Sequence, residues 1–142
     1  MQPGPVYMVS ADDDDQTILR EVWKELEYEN ELLCFTTGED ALQRVRTDPV
    51  VPFIIFSDVN LPRMDGFEFK KQLYESSNRH INYKSIPFVF WSTQASKQQI
   101  QKAYDLGGNG FFIKDNTIAE LKQSLSEIMN YWQKSKVPER DI

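Results

Sequence analysis

Five short apolar runs alternate with five amphipathic segments along this chain of 142 residues. The apolar runs are continuous, a pattern typical of parallel strands that are buried on both faces. The segments between them carry apolar residues at helical spacing. This regular alternation predicts an α/β fold in which helices cover both faces of one five-stranded parallel sheet. The predicted strands begin at Val6, Leu32, Phe53, Ile86 and Phe111.

Local signals predict where the helices begin. Residues spaced for a capping box precede three of them: Thr36 with Glu39, Ser96 with Gln99, and Thr117 with Glu120. The first helix is predicted from about Asp14 to Glu29. Asp14 and Asp15 are interpreted as solvated acids at the start of this helix, where its dipole favours negative charge.

Composition restricts the classes of partner and compartment. The net charge of −6 argues against a nucleic-acid surface and against binding to an anionic membrane. Cys34 has no second cysteine to pair with, there is no segment typical of a signal peptide, and no apolar stretch is long enough to span a membrane. We therefore expect a cytoplasmic protein with an extension at residues 1–5, one domain at 6–133 and a polar tail at 134–142.

Polar side chains follow the predicted strands at the point where each strand ends. An acidic run, residues 12–15, follows the first strand, Asp58 ends the third, Ser92 ends the fourth and Lys114 ends the fifth. Taken alone, Asp58 is equally well explained as the cap of a turn. Because the carboxyl ends of parallel strands meet at one edge of the sheet, however, these side chains are predicted to converge. Carboxylates, a hydroxyl and a lysine at one crevice suit Mg²⁺-assisted phosphoryl transfer.

At this point the chain resembles the receiver domains of two-component response regulators. The resemblance extends from about Val6 to Trp132, and its most specific part is the segment 57–66, Ser-Asp-Val-Asn-Leu-Pro-Arg-Met-Asp-Gly, which is similar to the phospho-acceptor motif of the family. Residues 87–92 resemble its fourth strand, and residues 104–107 through 111–114 resemble the approach to its fifth strand. The resemblance implies a flavodoxin-like sheet with strand order 2-1-3-4-5.

The resemblance also implies a mechanism and its residues. Asp58 would accept a phosphoryl group from a histidine kinase or a histidine phosphotransfer protein. Mg²⁺ would be bound by Asp58, an acid after the first strand, and the main-chain carbonyl of Asn60. Ser92 would hydrogen-bond the phosphoryl group and Lys114 would pair with it. The output would be a change at the face formed by the fourth helix, fifth strand and fifth helix, so we expect a stand-alone signalling protein rather than an enzyme.

The sequence departs from the family pattern at three places. An alignment without gaps puts Ser10 and Ala11 where the family usually has two acids, whereas a two-residue shift would make Asp12 and Asp13 the metal-binding pair. Asp115 stands where a proline, often cis, usually follows the lysine, so a cis peptide is not expected. The aromatic switch position is Phe111, which has no hydroxyl.

These departures leave an alternative function open. The same fold with a degenerate metal site would be a pseudo-receiver, which binds partners without being phosphorylated.

Two other classes of protein fit the sequence less well. In dehalogenase-like hydrolases the nucleophile ends the first strand and a second acid follows two residues later, whereas Asp58 ends the third strand and Asn60 follows it. A flavodoxin would need a phosphate-binding loop after the first strand, where this chain is acidic.

Overall fold

A computed structural model describes residues 3–77 and 82–138. The strands are β1 (Val6–Val9), β2 (Leu32–Phe35), β3 (Ile54–Asp58), β4 (Phe88–Ser92) and β5 (Gly110–Ile113). The helices are α1 (Asp13–Leu26), α2 (Gly38–Thr47), α3 (Gly66–Glu75), α4 (Lys97–Asp105) and α5 (Ile118–Lys134), with a 3₁₀ turn at Tyr83–Ser85 before β4. His80, which the polar segment at residues 76–85 predicts to be a solvated loop residue, lies outside the described residues.

The five strands form one parallel sheet in the order β2-β1-β3-β4-β5. The predicted fold class and strand order are therefore confirmed. β3 lies in the middle and pairs with β1 and β4, and all five of its residues are buried. β5 is an edge strand, and its last two residues, Phe112 and Ile113, are 37% and 51% exposed. The carboxyl ends of all five strands meet at one edge of the sheet.

A separate apolar layer covers each face of the sheet. On one face, side chains of β1, β3 and β4 pack with α2 and α3 around Phe69, Leu73, Phe88 and Phe90. On the other face, Phe56 and Trp91 pack with α1 and α5, including Leu125 and Met129. Because both faces of the three inner strands are covered, β1, β3 and β4 are the fully buried strands, and they read as continuous apolar runs in the sequence.

Helix ends differ from the sequence predictions by small shifts with identifiable causes. The side chain of Thr37, not Thr36, caps α2 by accepting a hydrogen bond from the Asp40 amide. α1 begins at Asp13 and ends three residues before the predicted Glu29, because Glu27 adopts a left-handed conformation with φ 55°. The capping box of Ser96 and Gln99 is confirmed, with both reciprocal hydrogen bonds present.

Candidate functional site

Asp58 lies at the carboxyl end of the central strand and is only 8% exposed. Its surroundings are fixed by backbone hydrogen bonds, from Val59 to the Trp91 carbonyl (3.2 Å) and from Gly66 to the Val59 carbonyl (2.8 Å). The second of these bonds folds the loop after β3 back onto the strand. Asp58 is therefore a buried carboxylate on a rigid support, not the cap of the following helix, a role that the Asp65 side chain fills.

Lys114 reaches Asp58 from the edge strand. The Lys114 amide donates to the Ser92 carbonyl (2.8 Å), which continues the sheet one residue past β5. Its ammonium Nζ lies 2.8 Å from Asp58 Oδ1. The sequence prediction that these two side chains meet at the sheet edge agrees with this geometry.

A second carboxylate, which the sequence interpretation missed, shares the same ammonium. Asp15 Oδ2 lies 2.6 Å from Lys114 Nζ. The interpretation of Asp15 as a solvated helix-start acid is wrong, because the first turn of α1 directs this side chain into the crevice and leaves it only 31% exposed. Four consecutive aspartates gave no signal for which one points inward. Only the geometry of the turn that leads into α1 decides this.

Burial and pairing shift the pKa values of this cluster. Burial raises the pKa of the Asp58 carboxyl above its usual value, and this effect outweighs the opposing hydrogen bonds from Lys114 and from the Ser10 hydroxyl. For Lys114 the balance is reversed. Burial by itself would lower its pKa, but hydrogen bonds to Asp15 and Asp58 raise it. Lys114 is therefore held as a cation.

A pocket of about 340 Å³ opens beside Asp58. Ser92 lines it, as predicted, and its hydroxyl donates to the Gln94 carbonyl (2.6 Å). Asn60, Thr93 and Trp91 also line the pocket. The structure thus brings the predicted residues Asp58, Asn60, Ser92 and Lys114 to one cavity large enough for a small ligand. The full lining is Ala11, Asp12, Asp58, Asn60, Trp91, Ser92, Thr93 and Lys114.

The end of β1 supplies few metal ligands. Ser10 directly follows the strand and Ala11 comes next, and the Ser10 hydroxyl accepts a hydrogen bond from the Asp12 amide (3.2 Å). Asp12 lines the pocket, but its Oδ1 accepts the amides of residues 14 and 15 as the cap of α1 (2.9 and 3.2 Å). Asp13, the first residue of α1, is exposed and does not line this pocket.

The donors present fit only a sparse magnesium site. No group of three or more His, Cys, Asp or Glu side chains suited to a metal occurs among residues 3–77 and 82–138. The pocket offers two carboxylates, Asp12 and Asp58, with Asn60 beside them. Mg²⁺ is often bound by one or two carboxylates together with waters and substrate phosphate oxygens. These residues therefore suit an ion that keeps most of its waters.

The remaining predicted residues, Phe111 and Asp115, do not line the pocket beside Asp58. Phe111 is half-buried and stacks on Phe90, with ring centroids 6.2 Å apart. The peptide between Lys114 and Asp115 is trans, since no cis peptide bond occurs in the described parts of the chain. Asp115 lines a smaller cleft with Asp15 and Lys114, but the ion pairs of Lys114 are with Asp15 and Asp58. The role of Phe111 as a switch stays a prediction.

Comparisons with known proteins agree on one family. The family described as "Response regulator receiver domain" matches residues 5–126. Among individual proteins, Response regulator Rcp1 of Synechocystis sp. is 24% identical over 135 residues, which cover 92% of this chain and 89% of Rcp1.

Solved structures have the same fold. The crystal structure of the phosphorylated cyanobacterial phytochrome response regulator RcpA superimposes with a TM-score of 0.84 at 23% identity, covering 96% of this chain and 99% of RcpA. The Mn²⁺-bound form of response regulator Rcp1 gives a TM-score of 0.80 at 23% identity, covering 96% of this chain and 100% of Rcp1. Within the described residues, no helix is both long and apolar enough to cross a membrane.

Proposed function

Because this chain belongs to the response regulator receiver domain family of two-component signalling, we propose that Asp58 accepts a phosphoryl group from a histidine kinase or a histidine phosphotransfer protein. The observation that carries the proposal is the ion pair of 2.8 Å between the buried Asp58 carboxylate and Lys114, at the mouth of a pocket that Ser92 also lines. In this role the protein is a phospho-acceptor that signals by binding, not an enzyme.

The proposed step is a displacement at phosphorus. An Asp58 carboxylate oxygen attacks the phosphorus of a phosphohistidine, the new O–P bond forms as the P–N bond breaks, and the imidazole leaves as the neutral base after taking up a proton. Charge that develops on the transferring oxygens is offset by Lys114. Ser92 lines the same pocket and would donate a hydrogen bond to the phosphoryl group once its hydroxyl leaves the Gln94 carbonyl.

Mg²⁺ is proposed as the metal of this reaction, bound by Asp58, Asp12 and the main-chain carbonyl of Asn60. When bound, the ion would neutralise phosphoryl oxygens. Receiver domains in general bind Mg²⁺ or Mn²⁺, and the Rcp1 structure is a Mn²⁺-bound form. Asp13 is not included, because it does not line the pocket.

We propose that the output surface is the face formed by α4, β5 and α5. Several large apolar side chains on it are exposed, including Tyr104 (54%), Ile113 (51%) and Ile118 (58%). Phosphorylation of Asp58 would change the population of conformations of this face through Lys114, which directly follows β5. A downstream protein would bind one of the two populations more tightly.

The experiment is intact-mass spectrometry after incubation with acetyl phosphate at millimolar Mg²⁺. We expect one phosphoryl adduct on the unmodified sequence and none on Asp58→Asn. Asp65→Asn is the matched control, since it removes a nearby exposed carboxylate that caps α3 and should keep the adduct. An adduct that survives on Asp58→Asn would show that another residue is the acceptor.

A second function, the pseudo-receiver that binds partners without phosphorylation, is favoured by one observation. Neutral Ser10 and Ala11 stand at the end of β1, so the pocket has only the carboxylates of Asp12 and Asp58 among its lining residues to bind a metal. The test is a Mg²⁺ titration followed by indole fluorescence, because Trp91 lines the pocket, with Trp91→Phe as the control for the two other tryptophans. If no quenching occurs at millimolar Mg²⁺, but quenching and a phosphoryl adduct both appear in Ala11→Asp, the native chain is a pseudo-receiver.

A further inference from the structure

The first turn of α1 carries three consecutive acids that differ in their surroundings. Asp13 and Asp14 are exposed, whereas Asp15 is half-buried and pairs with Lys114 at 2.6 Å. The helix dipole, which favours negative charge at the start of a helix, explains the presence of all three acids equally. It does not explain why one of them is placed against the cation that also holds Asp58.

Lys114 is divided between two carboxylates. Its Nζ lies 2.6 Å from Asp15 Oδ2 and 2.8 Å from Asp58 Oδ1, and its side chain is only 18% exposed. Among the described residues that line the two adjoining clefts, Lys114 is the one cation. The three side chains together carry a net charge of −1, so the ammonium that would pair with the phosphoryl group on Asp58 is already neutralised, in part by the competing carboxylate of Asp15.

We propose that Asp15 is a regulatory carboxylate that restrains phosphorylation of Asp58 by competing for Lys114. The proposal rests on the proposed phospho-acceptor function and names a control residue for it. Asp15 acts through Lys114, so it is a positioning residue and not a catalytic one.

Electrostatics gives the direction of the effect. A small phosphodonor such as acetyl phosphate approaches as an anion, and the transferred phosphoryl group increases the negative charge at Asp58. A carboxylate bound to the same ammonium repels both and weakens the attraction of Lys114 for phosphoryl oxygens. With neutral Ser10 and Ala11 at the end of β1, the carboxylates that line the two adjoining clefts are those of Asp12, Asp15, Asp58 and Asp115. Of these four, Asp15 and Asp58 pair with Lys114, so the removal of the charge of Asp15 has a large relative effect on the cation.

The test compares two isosteric substitutions in the same helical turn. Asp15→Asn removes the charge but keeps an oxygen that can accept from Lys114, whereas Asp14→Asn removes an exposed acid that makes no ion pair among the described residues. The rate of phosphoryl adduct formation with acetyl phosphate is followed by intact-mass spectrometry at millimolar Mg²⁺. We expect Asp15→Asn to react about fivefold faster than the unmodified sequence, and Asp14→Asn to stay within about twofold of it.

Two additional readouts separate a charge effect from a structural one. The ¹H–¹⁵N signal of the Lys114 ammonium, which needs no phosphorylation, should shift in Asp15→Asn and stay in place in Asp14→Asn. High salt should reduce the rate difference, because it screens the repulsion between a solvent-borne anion and Asp15. Circular dichroism reports whether each variant is folded.

The outcomes are distinguishable. Faster phosphorylation of Asp15→Asn alone, or an adduct that appears only in this variant, supports the inference. If the unmodified sequence is phosphorylated and Asp15→Asn reacts at the same rate or more slowly, the inference is overturned while the phospho-acceptor function stands. If neither the native chain nor Asp15→Asn forms an adduct, both fail, since there is no reaction for Asp15 to restrain.

Discussion

Replacing Gly66 with alanine should place a methyl group against the main chain of Asp58 and destabilise the protein. A Cβ at residue 66 would lie 2.2 Å from the main-chain oxygen of Asp58, about 1.2 Å inside the 3.4 Å at which ordinary contact begins. The main chains of Gly66 and Asp58 both lie in the buried region where the loop after β3 returns to the strand. Neither can move without changing the hydrogen bond between Gly66 and Val59.

The expected magnitude follows from two opposing effects. Overpacking of a buried site destabilises a protein by about 1–3 kcal/mol, and a clash with fixed backbone belongs at the upper end. Alanine in a helix is favoured over glycine by up to about 1 kcal/mol. We therefore expect Gly66→Ala to lower the free energy of unfolding by about 2 kcal/mol, which corresponds to a decrease of about 7 °C in Tm for a domain of this size.

Gly38 provides the matched control, because it is also the buried first residue of a helix. A Cβ there would meet Met64 Sδ and Phe69 Cβ at 3.2 Å, and these are side-chain atoms that can shift by a few tenths of an ångström. Urea unfolding followed by circular dichroism should show Gly38→Ala within about 1 kcal/mol of the native chain. Equal midpoints for the two variants would refute the argument that the close approach of the Asp58 backbone excludes a side chain at residue 66.

Three further predictions concern the buried Lys70, the site residue Lys114 and the helix cap Ser96. Lys70 is 1% exposed, its ammonium lies over the rings of Tyr74 and Phe88, and burial lowers its pKa. Lys70→Met should therefore stabilise the protein by about 1 kcal/mol in neutral urea unfolding, while exposed Lys71→Met changes little. The unfolded chain binds the Lys70 proton more tightly than the folded chain, so the free energy of unfolding should rise with pH between the lowered pKa of Lys70 and the ordinary value of 10.5. Over the same pH range the stability difference between Lys70→Met and the native chain should decrease. A difference that does not change with pH contradicts this prediction. Lys114→Ala should keep its far-UV circular dichroism but slow adduct formation with acetyl phosphate, and an unfolded spectrum would instead assign Lys114 a structural role. Ser96→Ala should lose about 1 kcal/mol with the capping box of α4, measured by thermal melting, and an unchanged Tm would mean that the box contributes nothing.

The sequence was sufficient for features that depend on strand ends. Asp58 and Ser92 are the last residues of buried strands and Lys114 directly follows the apolar edge strand β5, and parallel strands bring such ends together regardless of the loops between them. The strand order was implied by the family resemblance and could not be worked out from the apolar runs. The capping box of Ser96 was predicted because its two partners are only three residues apart.

Features that depend on the path of a loop were not predicted. The choice of Thr37 over Thr36 as the cap of α2 depends on where the chain leaves β2, and two adjacent threonines give no sequence signal for it. The inward position of Asp15 depends in the same way on the turn after β1, whose Asp12 side chain fixes the start of α1. Periodicity locates the buried face of α1 but does not identify which acid of its first turn meets a cation on another strand.

Asp58 and Lys114, the two partners of the central ion pair, belong to parts of the sheet that differ in their resistance to local opening. Asp58 belongs to β3, which is hydrogen-bonded on both sides, whereas Lys114 follows β5, which pairs with β4 alone. Amide hydrogens of β5 should therefore exchange with solvent through smaller fluctuations than those of β3. Each such fluctuation withdraws the lysine and leaves the acceptor carboxylate in place, so the lifetime of the ion pair is set by the edge strand and not by the stability of the whole domain.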